Sequence, residues 1–536
     1  MAPVLALSLV GCTASERAAP AGTASEGSPL PPALAALRTA PERSGFTETT
    51  RYADVVAFVD ALAAASPGVL HRTDFGRSGE GRALPLVVWG AGAASPEAVR
   101  ATGKTRVLVF ANIHAGEVAG KEALLVLLRD LAAGRHAAWA DSLVLLAAPI
   151  YNADGNERVA YDNRPLQYGP VGGVGQRANA AGLDLNRDFM KLDAPESRAL
   201  VGLLRDYDPH VVVDLHTTNG THMGYELTYA PPLWPDTPAP IAAHLFDEVL
   251  PAISARLLAA DGYATFHYGN VPGAFGEPAR APRGWYSFDA RPRFGTNYAG
   301  VRGRYAVLSE AYSYAPFETR IDVTRRFVEE ILAAVYREAS RIRRAAAAAD
   351  RRPIAGDSLA VRARFEALPG APPVLLGEVD TLRHPVTGAP MLRQRPVRRP
   401  EAMPAYVRFA AAERERAPEA YLVPARLTAV LDLLAAHGVR TQPVTMIPQP
   451  VEVFRIDSVR VAAQPFQGRR AAEAFGRWEA SDAPPEAYVL VPTTQPLGRL
   501  AFLLLEPRHE DSVAAWNLLP EGALRAGANY PILRVP

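Results

Sequence analysis

Four short, nearly continuous apolar runs constrain this chain most: 106–113, 143–150, 211–215 and 305–309. Apolarity that is continuous, not alternating, marks strands buried on both faces, as in parallel sheets covered by helices. The segments 117–131, 195–206, 241–258 and 319–349 follow these runs and carry helical spacing. Ahead of them, 52–65 reads as a helix, and 69–75 and 84–89 read as strands around the glycine-rich turn 76–81. This order predicts an α/β domain over residues 46–350. Its centre is a mixed, mostly parallel sheet with helices on both faces.

The alternation stops near Asp350. Residues 351–405 are rich in Pro, Gly and Arg and read as a linker region. Residues 406–536 read as a smaller β-rich accessory domain, with strand-like runs at 451–456, 487–491 and 500–505 and a helical pattern at 424–437. The 57 basic and 56 acidic side chains leave a charge of +1, which gives no footprint for nucleic acid or an anionic membrane. The basic residues are almost all arginine, with lysine only at 104, 121 and 191.

The one cysteine, Cys12, excludes an intrachain disulfide. It follows an apolar run, 3–10, too short to span a bilayer. Leu9-Val10-Gly11-Cys12 resembles the lipobox of bacterial lipoproteins, although the basic stretch that usually precedes such a run is missing. The expectation is a signal peptide at 1–12, lipidation at Cys12 and a flexible tether at 13–45, rich in Ala, Ser, Gly, Thr and Pro. The protein would then be exported, face the periplasm or the extracellular side, and touch the membrane only through its lipid anchor.

Chemistry gathers at the carboxyl ends of the apolar runs, where open α/β sheets collect ligands. His114 and Glu117 follow the first run in a turn that opens a helix, three residues apart and able to reach one ion. His216 ends the run 211–215. Two closely spaced ligands and a distant third are a common pattern in catalytic zinc sites, whose fourth position stays open. His210 and His222 compete with His216, but neither directly ends the run. Glu310 closes the run 305–309, where it reads either as a general base or as a salt-bridge partner of Arg302 or Arg304. The segment 176–188 is dense in Arg, Asn and Asp, which suits a carboxylate ligand or a plain solvated loop.

In this order, 76–82, His114-x-x-Glu117, 149–155, Asp184-Leu-Asn186-Arg187, His216 and Glu310 resemble the motifs of the zinc carboxypeptidases, the carboxypeptidase A-like metallopeptidases. The likeness spans roughly residues 50–345. It implies that His114, Glu117 and His216 bind Zn2+, and that Asp184 orients His114. It implies Glu310 as general base, Arg177 as oxyanion stabiliser, and Asn186 and Arg187 as holders of the substrate's terminal carboxylate. The substrate would be a peptide with a free C-terminus. Asp188 departs from the family, where Asn is common. The tyrosine that closes over substrate is not assignable among Tyr286, Tyr298, Tyr312 and Tyr314, and the specificity residue falls somewhere in 284–303. The C-terminal stretches 511–517 and 530–535 resemble tails on some bacterial members. Two alternatives stand beside a carboxypeptidase: a peptidoglycan stem-peptide hydrolase or other zinc amidase on the same site, and a non-catalytic binding protein on the same fold. Rival motifs fail. Gly103-Lys104-Thr105 lacks the first P-loop glycine, His509-Glu510 lacks a second histidine, and there is no G-x-S-x-G.

Overall fold

The computed structural model describes residues 29–444, 446–447 and 450–536. Cys12, the expected signal 1–12 and residues 13–28 of the expected tether lie outside them. Residues 29–45 are held against the body and do not form a tether. Thr39 and Glu42 form a capping box on the short helix Ala40–Ser44, and Glu42 also accepts from Arg129 at 2.8 Å.

The strand Thr105–Ala111 (β3) shows why the sheet is buried on both sides. Val107, Val109 and Ala111 pack on one hydrophobic cluster, and Leu108 and Phe110 pack on the other. With helix Tyr52–Ala65 (α1), strands Leu70–Arg77 (β1), Ala83–Trp89 (β2) and Leu143–Ala148 (β4) precede Val211–Thr218 (β5). Leu227–Ala230 (β6), Thr265–His267 (β7) and Tyr305–Tyr312 (β8) complete an eight-stranded sheet in the order β1-β2-β4-β3-β5-β8-β6-β7. The central β4-β3-β5-β8 block is parallel, and β1, β2 and β6 bring antiparallel pairings. Helices Ala119–Ala132 (α2) and Phe317–Arg351 (α4) cover one face, and Pro195–Tyr207 (α3) covers the other. The fold is therefore α/β with a mixed central sheet and helices on both faces. Among the described residues no helix is long and apolar enough to cross a membrane.

Beyond α4, residues 351–405 hold paired strands, among them the hairpin Val379–Arg383 (β9) and Pro390–Gln394 (β10). A six-stranded antiparallel sheet follows, built around Ala420–Pro424 and Val451–Val461. One sequence expectation changes here. The run 500–505 is not a strand but lies in a helix, Gly498–Leu505 (α5), every residue of which is buried. A short run buried all round carries no periodicity to separate the two.

The C-terminal part does not stand clear of the sheet. A single hydrophobic cluster runs from Leu108 and Phe110 through α3 to Leu433, Phe454, α5 and Tyr530. Polar locks reinforce it. His437 Nδ1 accepts from the Tyr298 hydroxyl at 2.7 Å, and its Nε2 donates to Met190 O at 3.1 Å. Asp511, fully buried, accepts from the Arg293 backbone N–H at 2.9 Å and from its Nε at 2.6 Å. Trp516 covers the Arg293 guanidinium at 4.5 Å. Removing one partner of such a pair strands the other's charge. Asp511→Ala is therefore expected to lower unfolding free energy by about 3–5 kcal/mol in chemical denaturation. Arg293→Met/Asp511→Leu should recover most of that loss. Equal stability of wild type and Asp511→Ala would contradict the pairing.

Candidate metal centre and cleft

Local packing sets the site. After β3, the chain turns through Asn112 in the left-handed region (φ 67°), and Glu117 N donates to His114 O at 2.9 Å. Helix α2 then presses against β5 at Gly120, where a Cβ would lie 2.6 Å from Leu215 Cβ. Only glycine permits that approach, which brings Glu117 beside His216. On β5, Val211, Val213 and Leu215 face one cluster, so Asp214 and His216 face the other way. His216 pairs in register with Glu310 on the parallel neighbour β8, so both lie on the same side of the sheet. Both strands run beyond the apolar runs of the sequence, to Thr218 and Tyr312.

The side chains of His114, Glu117 and His216 are buried, and their ligand atoms lie within 4.8 Å of one another. His114 Nδ1 is 3.1 Å from Glu117 Oε1, and His216 Nδ1 is 2.9 Å from Oε2. Each ring is also held from behind. His114 Nε2 lies 3.0 Å from Asp184 Oδ1, and His216 Nε2 lies 2.9 Å from Asp214 Oδ2. Each ring nitrogen therefore faces a carboxylate oxygen, which only accepts; a cation bound between Glu117 and the two rings would take the place of the Nδ1 protons and leave each Nε2 proton directed at Asp184 or Asp214. Two imidazoles and a carboxylate thus converge in a buried space, the kind of donor set that suits a divalent cation. The same electrostatics hold the site polarised. Burial would raise the Glu117 pKa, but His114 and Arg164 hold it well below the usual carboxylate range. Burial would lower the His216 pKa, but Asp214 and Glu117 raise it well above the ordinary value.

Glu310 differs from the other carboxylates. No hydrogen bond or salt bridge ties its carboxyl group to any described residue. Burial pushes its pKa up to about 8, with Glu117 and Asp214 adding to the rise and His216 and Arg164 opposing it. Arg302 and Arg304 are engaged elsewhere, with His437 O and with Asp208 and Asp350.

These groups line a cleft of about 240 Å³, together with Arg177, Asn186, Arg187, Tyr268, Phe275, Phe288, Phe294 and Leu308. Arg177 Nε and Nη2 donate to Asp184 Oδ2 at 3.0 and 2.8 Å, leaving Nη1 3.6 Å from Glu117. Asn186 Oδ1 accepts from Gly295 N at 2.8 Å, and its Nδ2 sits 3.5 Å from His216 Nε2. The Arg187 guanidinium donates to Asn186 O at 2.8 Å, lies 3.9 Å from Asp184 Oδ2 and stacks over Phe294 at 4.0 Å. All seven expected metal, substrate and catalytic residues thus meet in one cleft, with Asp184 behind His114. His210 lies at the opposite end of β5, held neutral by burial with its pKa near 3, and His222 lies outside the cluster.

Several cleft residues escape a reading of the sequence. Asp214 backs His216. Arg164 donates to Glu117 Oε1 at 3.0 Å and to Thr217 O at 2.6 Å. The tyrosine facing the cleft is Tyr268, which is not among the four candidates. Tyr286 stacks on Tyr406, Tyr298 is bonded to His437, and Tyr312 is bonded to Thr221 O. Tyr314 packs on Tyr312. The C-terminal part also reaches the site: Gln467 Oε1 accepts from the backbone N–H of Asp184 at 2.7 Å, and Arg469 pairs with Asp193 at 2.6 Å.

Comparison with known proteins agrees with this arrangement. Residues 55–249 match the family model described as zinc carboxypeptidase. Carboxypeptidase 2 of Trichophyton rubrum is 26% identical, over 92% of this chain and 87% of that protein. Carboxypeptidase D of Homo sapiens is 30% identical over 28% of this chain and 13% of its own length. Among solved structures, a metallo-carboxypeptidase from Burkholderia cenocepacia aligns with a TM-score of 0.39 and 20% identity, covering 54% of this chain and 70% of that one. The family match takes in His114, Glu117, Arg177, Asp184, Asn186, Arg187 and His216 but stops short of Glu310, which enters the cleft through its register with His216. Over residues 55–249, then, the chain is similar to the zinc carboxypeptidases.

Proposed function

We propose that this protein is a zinc-dependent metallocarboxypeptidase that hydrolyses the C-terminal peptide bond of its substrates. The observation that carries this reading is the unpaired Glu310 carboxylate beside the converging donors of His114, Glu117 and His216. These three residues would hold the zinc ion, which when bound acidifies water and polarises a carbonyl. Glu310 takes the proton of the attacking water and returns it to the leaving amine. No hydrogen bond or salt bridge occupies its carboxyl group, and a bound cation would offset the burial that raises its pKa to about 8 and leave it ionised to act as a base. Arg177 Nη1 faces the oxygen that gains charge, while its other two donors stay locked on Asp184. Arg187, stacked on Phe294 and little used by the protein, engages the substrate's terminal carboxylate, with Asn186 Nδ2 beside it. Phe275, Phe288, Phe294 and Leu308 give the cleft an apolar wall, which suits a C-terminal residue with an apolar side chain.

The direct test is a library of N-blocked peptides with free C-termini. Chelator-sensitive release of single C-terminal residues is expected, with apolar residues ahead of Lys and Arg. Glu310→Gln should retain its zinc and lose turnover by about 10²–10⁴-fold. Release from muropeptides but not from L-peptides would move the substrate to peptidoglycan. Zinc uptake with no turnover on either would leave a binding protein.

Asp184→Asn keeps the shape of the side chain that backs His114 but removes its charge. It is expected to weaken zinc binding by about 10–100-fold in a competition titration. Unchanged affinity would remove Asp184 from the support of the metal.

The lipobox-like Leu9-Val10-Gly11-Cys12 supports export as a lipid-anchored protein. Metabolic labelling with a fatty-acid analogue should mark the wild type and not Cys12→Ser. Equal labelling of the two would end this reading.

A further inference from the structure

A second cavity, of about 530 Å³, lies away from the cleft where three stretches meet. Residues 235–241 form one wall, the last turns of α4 form another, and Asp357, Ser358, Leu359 and Arg499 of the C-terminal part close the third. It sits at the opposite end of the sheet from the metal centre. The end of α4 packs beside Gly303, and Asp350 pairs with Arg304 at 2.8 Å, just ahead of β8, whereas Glu310 lies toward the far end of that strand. Prolines, alanines, Ile241 and Leu359 make most of the lining apolar.

Arg499, on α5, lines this cavity at 7% exposure. No hydrogen bond or salt bridge joins it to any described residue. The two carboxylates that share the lining are already taken. Asp236 accepts from Ala360 N at 2.5 Å and from Arg414 at 3.4 Å, and Asp357 pairs with Arg352 at 2.7 Å. Burial and the nearby Arg352 lower the Arg499 pKa, with Asp236 and Asp357 opposing only in part. The planar fork of donors on Arg499 has no acceptor among the described residues and borders the space of a mostly apolar cavity. An acceptor arriving from solution would satisfy it.

We propose that this cavity binds a small organic monoanion, a carboxylate joined to an apolar body. The carboxylate engages Arg499 in a two-point contact, and the body lies against Pro238, Pro240 and Ala348. A multiply charged anion such as phosphate is disfavoured, because Asp236 and Asp357 face the same space. The ligand would bridge the sheet domain and the C-terminal part, so it should stabilise both together. This inference is independent of the reaction proposed for the cleft.

The test follows the unfolding temperature of the full chain, with calorimetric titration, against benzoate and hexanoate, with benzamide and inorganic phosphate as controls. The carboxylates are expected to bind and raise the unfolding temperature, and benzamide and phosphate are not. Arg499→Met removes the anion-binding fork while keeping a side chain of similar length and should fold as the wild type does. It should also bind the carboxylates about tenfold more weakly or worse. Ala348→Phe, at an exposed lining position, narrows the cavity from another wall and should abolish the response in an Arg187→Ala background, where the cleft no longer offers its own carboxylate partner. Arg187→Ala, which alters only the cleft, should keep it. Undiminished affinity in Arg499→Met/Arg187→Ala relative to Arg187→Ala, a response that disappears in Arg187→Ala, or the absence of carboxylate binding at millimolar concentration would each overturn the proposal.

Discussion

The carboxylate of Glu117 receives both imidazoles at once, and the rest of the site is arranged around that contact. His114 and Glu117 come from one turn, and His216 comes from a strand about a hundred residues later. Their meeting requires α2 to lie almost on the backbone of β5, which Gly120 allows. It also requires each ring to be turned so that Nδ1 faces inward, and Asp184 and Asp214 impose that from behind. Those two carboxylates are themselves buried and need their own partners. Arg177 and the backbone of Asn186 hold Asp184. On the His114 side the cleft is thus the visible end of a chain of polar groups that runs through Asp184 to Arg177.

That chain runs into the C-terminal part. Gln467 bonds the backbone of Asp184, and Asp511 fixes Arg293, next to Phe294 and Gly295, which touch Arg187 and Asn186. The residues that support the cleft therefore come from both parts of the chain. A shared hydrophobic cluster joins them, with no gap between two separate cores.

The legible portion of the fold is the portion with a physical period. Helix 52–65 and the buried strands can be read because helical spacing and unbroken apolarity each suit few backbone conformations. His114, Glu117 and His216 can be read because they stand at the carboxyl ends of such strands. Asp214 is easily overlooked, although a carboxylate inside Val-Val-Val-Asp-Leu-His carries its own signal: it is expensive to bury unless a partner waits. Arg164 and Tyr268 give no such sign, since they sit in loops whose path is set by distant contacts. The run 500–505 misleads because burial on all sides erases the difference between helix and strand. Gln467 cannot be read at all, because its partner lies 283 residues away.

The central claim is that two carboxylate-backed imidazoles and Glu117 hold a single metal ion through their inward-facing atoms. Anomalous diffraction at the zinc edge, from crystals of the zinc-loaded protein, tests it most directly. One strong peak is predicted, ligated by Nδ1 of His114, Nδ1 of His216 and the carboxylate of Glu117, with both Nε2 atoms still on Asp184 and Asp214. A peak bound through Nε2, a peak elsewhere in the chain, or a loaded protein with no peak at all would contradict it.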